Sequence, residues 1–125
     1  MSDFDGESLS AAWLAWHHAA KGSSAKDEHF WAFETMADLC HDDPETCFEL
    51  IEKIRKADGS DWILANLAAG PLEDLLSQHG ARFIDRIETL ARQDPQMRRL
   101  LGGIWRSDIP DAIWHRVQCA AGPSF

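Results

Sequence analysis

The sequence has no tyrosine and one valine among its 125 residues, and no segment alternates apolar and polar residues with a period of two. β-Strands favour β-branched and aromatic residues in such an alternating pattern. A β-sheet is therefore not expected. The hydrophobic fraction of 45% still suffices for one core, so the chain needs neither a disulfide nor a metal ion to fold.

Long apolar runs are also missing. No stretch approaches the roughly 20 residues of a membrane span, and the acidic start, MSDFDGESLS, lacks the apolar core of a secretion signal. We therefore expect a cytoplasmic protein that does not bind membranes. The three cysteines, Cys40, Cys47 and Cys119, show no metal-type clustering, which predicts buried free thiols in a reducing compartment.

Positive charge is scarce and unevenly distributed. The net charge of −9 disfavours binding to nucleic acid, because phosphate recognition needs Lys and Arg. Residues 1–47 hold ten acidic residues against two lysines, a net −8, whereas residues 81–125 hold seven arginines against five acidic residues, a net +2. This asymmetry predicts an acidic end that speeds encounter with a basic partner.

Apolar residues recur at helical spacing throughout the chain. The pattern predicts an all-α fold, a single domain over residues 1–125 with about seven short antiparallel helices. Residues 1–6 and 120–125 are expected to be flexible ends. On the second helix, the predicted inward stripe consists of Phe30, Phe33, Ala37 and Cys40.

Capping residues and glycines set the expected boundaries in the first half of the chain. Gly22 should end a first helix over Glu7–Lys21, and Ser24 should cap the second helix. Asp43-Pro44 places an N-cap before a proline at the first helical position, and Ser60 can cap a fourth helix.

Proline and glycine set the boundaries in the second half. Gly70-Pro71 should interrupt the chain, because proline cannot donate to the helix and disfavours helix at the preceding residue. A short helix from Pro71 to His79 should follow, with Gly80 as its end. Asp94-Pro95 and Pro110 should open the last two helices.

Two parts of the sequence also show a weak similarity to each other. A shift of 36 residues pairs Ile51 with Ile87 and Leu64 with Leu100. This spacing suits helix-pair repeats of the HEAT or tetratricopeptide type. The alternative is that two amphipathic helix pairs coincide by chance.

No group of residues has the arrangement of a catalytic, metal or cofactor site, so we expect a non-enzymatic protein. The enzymatic alternative uses Glu73, Asp74 and His79, but Asp74 and His79 lie five positions apart and so point about 140° apart on a helix. A zinc trio lacks a fourth ligand at suitable spacing; its members would be Cys40, His41 and Cys47.

The tryptophans mostly flank the apolar stripes, which predicts core positions for them. Trp31 and Trp105 lie at the stripe margins and should be partly exposed. The C-terminal arginines could form a basic patch, but a solvated face that is salt-bridged to the acidic half is favoured. These arginines are Arg98, Arg99, Arg106 and Arg116.

From Leu67 onward, the sequence resembles an uncharacterised family of small bacterial helical domains of unknown function. The residues that carry the resemblance are Gly70-Pro71-Leu72-Glu73-Asp74-Leu75-Leu76, His79-Gly80, Phe83-Ile84-Asp85-Arg86-Ile87-Glu88 and Leu101-Gly102-Gly103-Ile104-Trp105. The resemblance covers residues 30–118 and implies no established activity. Small acidic helical proteins of this kind are similar in build to immunity proteins of bacterial toxin systems.

We therefore predict an acidic protein-binding module of the immunity or inhibitor type that masks a basic surface on a protein partner such as a toxin. The alternative is a self-associating structural or scaffold domain that uses the surface around Trp105 and Trp114. We expect a monomer or a weak homodimer, and a clean monomer would exclude the self-associating alternative. The candidate contacts are Asp27, Glu28, Trp31, Glu34, Asp38, Asp42, Asp43 and Glu45.

Overall fold

The computed structural model describes residues 6–122 and is helical almost throughout. Its elements are α1 (Gly6–His18), α2 (Ser24–Asp42), α3 (Pro44–Ala57), α4 (Asp61–Leu67), a π-helical turn (Ala68–Leu72), α5 (Glu73–Gln93), α6 (Pro95–Gly102) and α7 (Asp111–Ala120). No strand occurs within this range. The prediction of a single all-α domain is confirmed.

The outermost residues were expected to be flexible ends. Residues 1–5 and 123–125 lie outside the described residues, whereas Gly6 and Ala120 belong to α1 and α7. Across the described helices, none combines the length and the apolar character needed to cross a membrane.

Several predicted helix starts are confirmed by side-chain caps. Asp43 and Asp94 each accept a hydrogen bond from a backbone N–H of the helix that follows, and a proline occupies the first turn in both cases. The cap of α2 is Ser23 rather than Ser24, because the Ser23 hydroxyl accepts from the Lys26 N–H at 3.1 Å. Gly22, at φ +80°, reverses the chain just before this cap.

The predicted break at Gly70-Pro71 is wrong. Instead of ending the helix, the chain widens into the π-helical turn, which contains Pro71 and runs directly into α5. Proline has no backbone N–H, and its ring clashes with the carbonyl one turn earlier in an α-helix. One extra residue in the turn, which makes it π-helical, accommodates the proline without ending the helix.

The predicted helix end at His79-Gly80 falls where two helical segments of α5 meet. α5 continues to Gln93 with a kink at His79, whose backbone leaves the helical region at φ −136° and ψ 26°. A Cβ atom at position 80 would lie 3.0 Å from Ile113 Cγ2. Gly80 therefore allows α7 to approach α5 closely at the kink.

α5 occupies the centre of the domain, where it packs against α2, α3, α6 and α7, while α1 packs mainly against α2. The shift of 36 residues superimposes α3 on residues 80–93, the part of α5 beyond the kink. The type of repeat remains a prediction.

The inward face of α2 differs from the predicted stripe. Ala32, Met36 and Cys40 are buried, whereas Phe30 and Phe33 are 43% and 40% exposed and Ala37 is also exposed. The prediction placed Phe30 and Phe33 in the core because they are hydrophobic. In the structure, the small Ala32 lies on the inward face instead and allows α2 to pack closely against the rest of the domain.

The cysteines also depart from expectation. Cys40 and Cys47 are buried as predicted, but they form a disulfide that links α2 to α3, with 5.1 Å between their Cα atoms. Cys119 is free and exposed. The prediction of three buried free thiols is therefore wrong. The disulfide also makes Cys40 and Cys47 unavailable as zinc ligands, which leaves only His41 of the trio considered from the sequence.

Candidate functional site

The predicted acidic contacts on α2 form one stripe along the helix. Positions 27, 31, 34, 38 and 42 are spaced by three or four residues, which places them on one face. This stripe, hereafter the acidic stripe, consists of Asp27, Trp31, Glu34, Asp38 and Asp42, and all five residues are exposed.

The acidic stripe points away from the core. Its members lie on the side of α2 opposite Met36 and Cys40, which are buried. At a rise of about 1.5 Å per residue, the stripe extends for about 22 Å along the surface. Trp31, which is 43% exposed, lies within the stripe, as the sequence predicted.

The carboxylates of the stripe are largely unpaired. Among the described contacts, Asp27, Glu34 and Asp38 make no side-chain hydrogen bond or ion pair, and Asp42 has only a loose approach of 3.9 Å to His41 Nε2. Glu28 is exposed and adjacent, but it lies about 100° around the helix from Asp27. The negative potential of this face therefore reaches solvent.

Two of the predicted contacts have structural roles instead. Asp43 caps α3 and also accepts from the Thr46 hydroxyl at 2.7 Å. Glu45 pairs with Arg86 at 2.7 Å and with Arg82 at 3.1 Å. The Arg86 hydrogen bond is the main reason that the pKa of Glu45 lies below its usual value.

A group of aromatic side chains lies beside the stripe. Trp16 stacks on Phe33 with 4.6 Å between ring centroids, and Phe30 stacks on Phe33 at 5.8 Å. Lys26 Nζ lies 3.7 Å from the Trp16 ring centroid and donates to the Trp16 carbonyl. Sequence reasoning missed this exposed surface because it assigned both phenylalanines to the core.

The C-terminal arginines do not form a free basic patch. Arg99 pairs with Asp61, and Arg116 pairs with Asp85 and Glu88. Arg106 contacts Asp111, and Arg98 donates to the Ala91 carbonyl. The expected salt bridges are present, but the partners of these arginines lie in α4, α5 and α7 rather than in residues 1–47.

A buried charge network joins α3 to the start of α6. Arg55 is 2% exposed and bonds to Glu52 at 2.6 Å, to Asp94 at 2.7 Å and to Gln96 at 2.9 Å. Its pKa is raised chiefly by the Glu52 hydrogen bond. The sequence signal that was missed is an arginine four residues after Ile51, on the apolar stripe of α3.

The three residues of the enzymatic alternative are not brought together. Glu73 accepts from the Trp105 backbone N–H at 3.2 Å, and His79 Nε2 lies 3.1 Å from the His41 carbonyl. Asp74 lines a cavity of about 250 Å³ that neither Glu73 nor His79 reaches. Within residues 6–122, no group of three or more His, Cys, Asp or Glu could hold a metal ion.

The remaining tryptophans divide between core and surface. Trp13 is buried, but Trp62 is 56% exposed, contrary to the core position predicted for it. Trp62 Nε1 donates to the His17 carbonyl at 2.8 Å. Trp105 is 77% exposed, as predicted, and lines an open groove together with the half-buried Trp114.

Comparison with known proteins gives one match. Residues 19–124 match a family described as a family of unknown function (DUF6869). The match includes α2 and every later helix and leaves α1 outside it. No curated protein and no solved structure matches the chain.

Proposed function

The chain belongs to DUF6869, a family of unknown function, and we propose that it is a non-enzymatic protein-binding module whose acidic stripe docks on a basic surface of a protein partner. The observation that carries the proposal is the row of exposed carboxylates around Trp31 on α2, of which Asp27, Glu34 and Asp38 have no ion pair with any residue in 6–122. Elsewhere, most acidic side chains with resolved contacts are held by arginines.

The two components of the stripe have different roles in this proposal. Unpaired surface carboxylates accelerate encounter with a basic partner and have a smaller effect on the lifetime of the complex. An exposed tryptophan within a charged surface is typical of a binding hot spot, which acts mainly on dissociation. In this proposal the chain is an inhibitor or immunity protein, and it masks a basic functional surface on its partner, such as that of a toxin.

The test begins with a partner captured from the native host and then purified. Reversing Glu34 and Asp38 to lysine should slow association at least about tenfold at low salt. Replacing Trp31 with alanine should instead raise the dissociation rate by about tenfold or more. Surface plasmon resonance measures both rates.

The matched control reverses two exposed acidic residues elsewhere, Glu49 and Asp108, so that the net charge changes equally. This control should slow association much less than the stripe reversal. An association rate that falls equally in both variants would refute docking through the stripe. So would a wild-type association rate that is unchanged at about 0.5 M salt, where the Debye length is only about 4 Å.

A second candidate function is self-association through the groove at Trp105 and Trp114. It is favoured by the 77% exposure of Trp105, the largest among the exposed aromatic side chains of the described residues. Sedimentation of the chain at micromolar concentration tests it. A monomer whose behaviour is the same as that of Trp105→Ala rules out this candidate.

A further inference from the structure

A cavity of about 250 Å³ opens between α1, α2, the π-helical turn and the first turn of α5. Its lining is mostly apolar and includes the rings of Trp13 and Phe33. Trp13 is fixed in the core at 1% exposure, whereas Phe33 is 40% exposed. The cavity therefore has a rigid inner wall and an aromatic side chain that reaches solvent.

Three polar side chains line this apolar cavity. The Asp74 carboxylate has no hydrogen bond or ion pair to any described residue, and its desolvation raises its pKa. Asn66 donates through Nδ2 to the Trp62 carbonyl at 2.7 Å, which leaves its Oδ1 atom to accept a hydrogen bond.

His17 is the third polar side chain and is more than nine-tenths buried. Its Nε2 atom has no hydrogen-bond partner within the described part of the chain. Burial, followed by the charges of Lys26 and His18, lowers its pKa to about 4. At neutral pH the imidazole is therefore uncharged and does not repel a cation.

The lining thus offers hydrogen-bond acceptors and one negative charge, and none of the described residues that form it is Lys or Arg. A buried polar group without a partner destabilises the protein unless a ligand or water satisfies it. Aromatic ring faces attract organic cations, most strongly where water is excluded. The complementary ligand has a positive charge, N–H donors and an apolar body.

We propose that this cavity binds a small organic ammonium ion, a primary amine attached to an aromatic or aliphatic group, with Asp74 as its counter-ion. The Asn66 Oδ1 atom accepts one ammonium hydrogen, and the rings of Trp13 and Phe33 contact the apolar group. A volume of about 250 Å³ lies just below the range of about 300–1,000 Å³ typical of drug-sized ligands, so the amine is small.

This site is independent of the proposed protein docking, because no residue of the acidic stripe lines the cavity. A basic protein would contact the exposed side of α2, whereas the cavity is lined by Phe33, Met36 and Ala37 on other sides of that helix. Failure of one proposal therefore leaves the other intact.

The test uses phenethylamine as the probe and the full chain as the target. At neutral pH, phenethylamine should bind at least about tenfold more tightly than 2-phenylethanol, an analogue of similar shape without the charge. Titration followed by two-dimensional NMR should shift the Asn66 side-chain amide and the Trp13 indole. Equal affinity for the amine and the alcohol would overturn the proposal.

Two variants test whether Asp74 supplies the negative charge that binds the amine. Asp74→Asn should lower the affinity for phenethylamine to that for the alcohol, whereas Asp38→Asn, which removes an equal charge from the acidic stripe, should leave it unchanged. If both variants weaken binding equally, the amine is only attracted to the net negative charge and the site is refuted.

A third variant tests the location without altering charge. A Cβ atom at Gly70, in the cavity lining, would meet no atom within 4 Å. Gly70→Leu should therefore fold and occupy part of the cavity, which abolishes amine binding. Undiminished binding by folded Gly70→Leu would place the amine elsewhere and overturn the proposal.

Discussion

The acidic residues along α2 differ in their surroundings from Glu88 and Asp94 in the C-terminal half. Glu88 in α5 and Asp94, the N-cap of α6, are held by arginines from other helices, and their pKa values are lowered mainly by these hydrogen bonds. On α2, Glu34 and Asp38 face solvent without a partner among the described residues. The same residue type therefore stabilises the fold in one region and leaves charge available in the other.

Partner geometry, rather than the number of acidic residues, therefore distinguishes structural carboxylates from candidate contacts. Glu45 makes the point within the predicted contact set, because Arg82 and Arg86 neutralise it although it lies in the most acidic third of the chain. Unpaired groups on the α1–α2 side also include the buried His17. Three substitutions test this comparison.

The largest effect is expected for Arg55→Ala. Removing the guanidinium leaves Glu52 and Asp94 partly buried without their partner, which should lower the free energy of unfolding by about 3 kcal/mol. Urea unfolding measures it. Arg99→Ala, which breaks the exposed pair with Asp61, should lower it by less than about 1 kcal/mol. Equal losses would show that the buried network has no special role.

A smaller, pH-dependent effect is expected for His17. The unfolded chain binds a proton at this residue as the pH falls below about 6.5, whereas the folded chain does so only near pH 4. Protons therefore favour unfolding between these values, and the wild type should lose about 2–3 kcal/mol from pH 7 to pH 4.5 through this group.

The variant His17→Met should lack this contribution. Urea unfolding at both pH values gives the difference between wild type and variant, with His115→Met as the control at an exposed position. If His17→Met loses as much stability as the wild type over this range, the imidazole is already protonated in the folded state or equally accessible in both states.

The smallest effect is expected on the acidic stripe itself. Neutralising Glu34 and Asp38 together, to Gln and Asn, should change the free energy of unfolding by less than about 0.5 kcal/mol, because neither side chain has a partner to lose within residues 6–122. Glu88→Gln should lower it by about 1 kcal/mol through the lost pairing with Arg116. A large loss from the stripe variant would mean that its carboxylates support the fold.

Much of the fold follows from local patterns. Asp43 and Asp94 cap helices where the sequence places an aspartate before a proline, and no strand occurs in residues 6–122. Caps and periodicity depend on residues within one or two turns, so they can be read from a single segment. The alignment of the acidic stripe is of the same kind, because it depends only on helical spacing.

The sequence-based predictions failed where contacts between distant segments of the chain determine the structure. Pro71 lies within a π-helical turn that runs directly into α5, rather than at a helix break. Phe30 and Phe33 are exposed because α2 turns Ala32 and Met36 inward, which hydrophobicity of the segment alone does not determine.

The helical class, most of the helix starts and the acidic character of the first third follow from the amino-acid sequence, because they depend on composition and on neighbours along the chain. Only the tertiary structure decided which charges are paired, how Cys40 meets Cys47, and how Asp74, Asn66 and His17 come to line one cavity. Their side chains come from different helices, and packing between helices fixes distances that no single segment encodes.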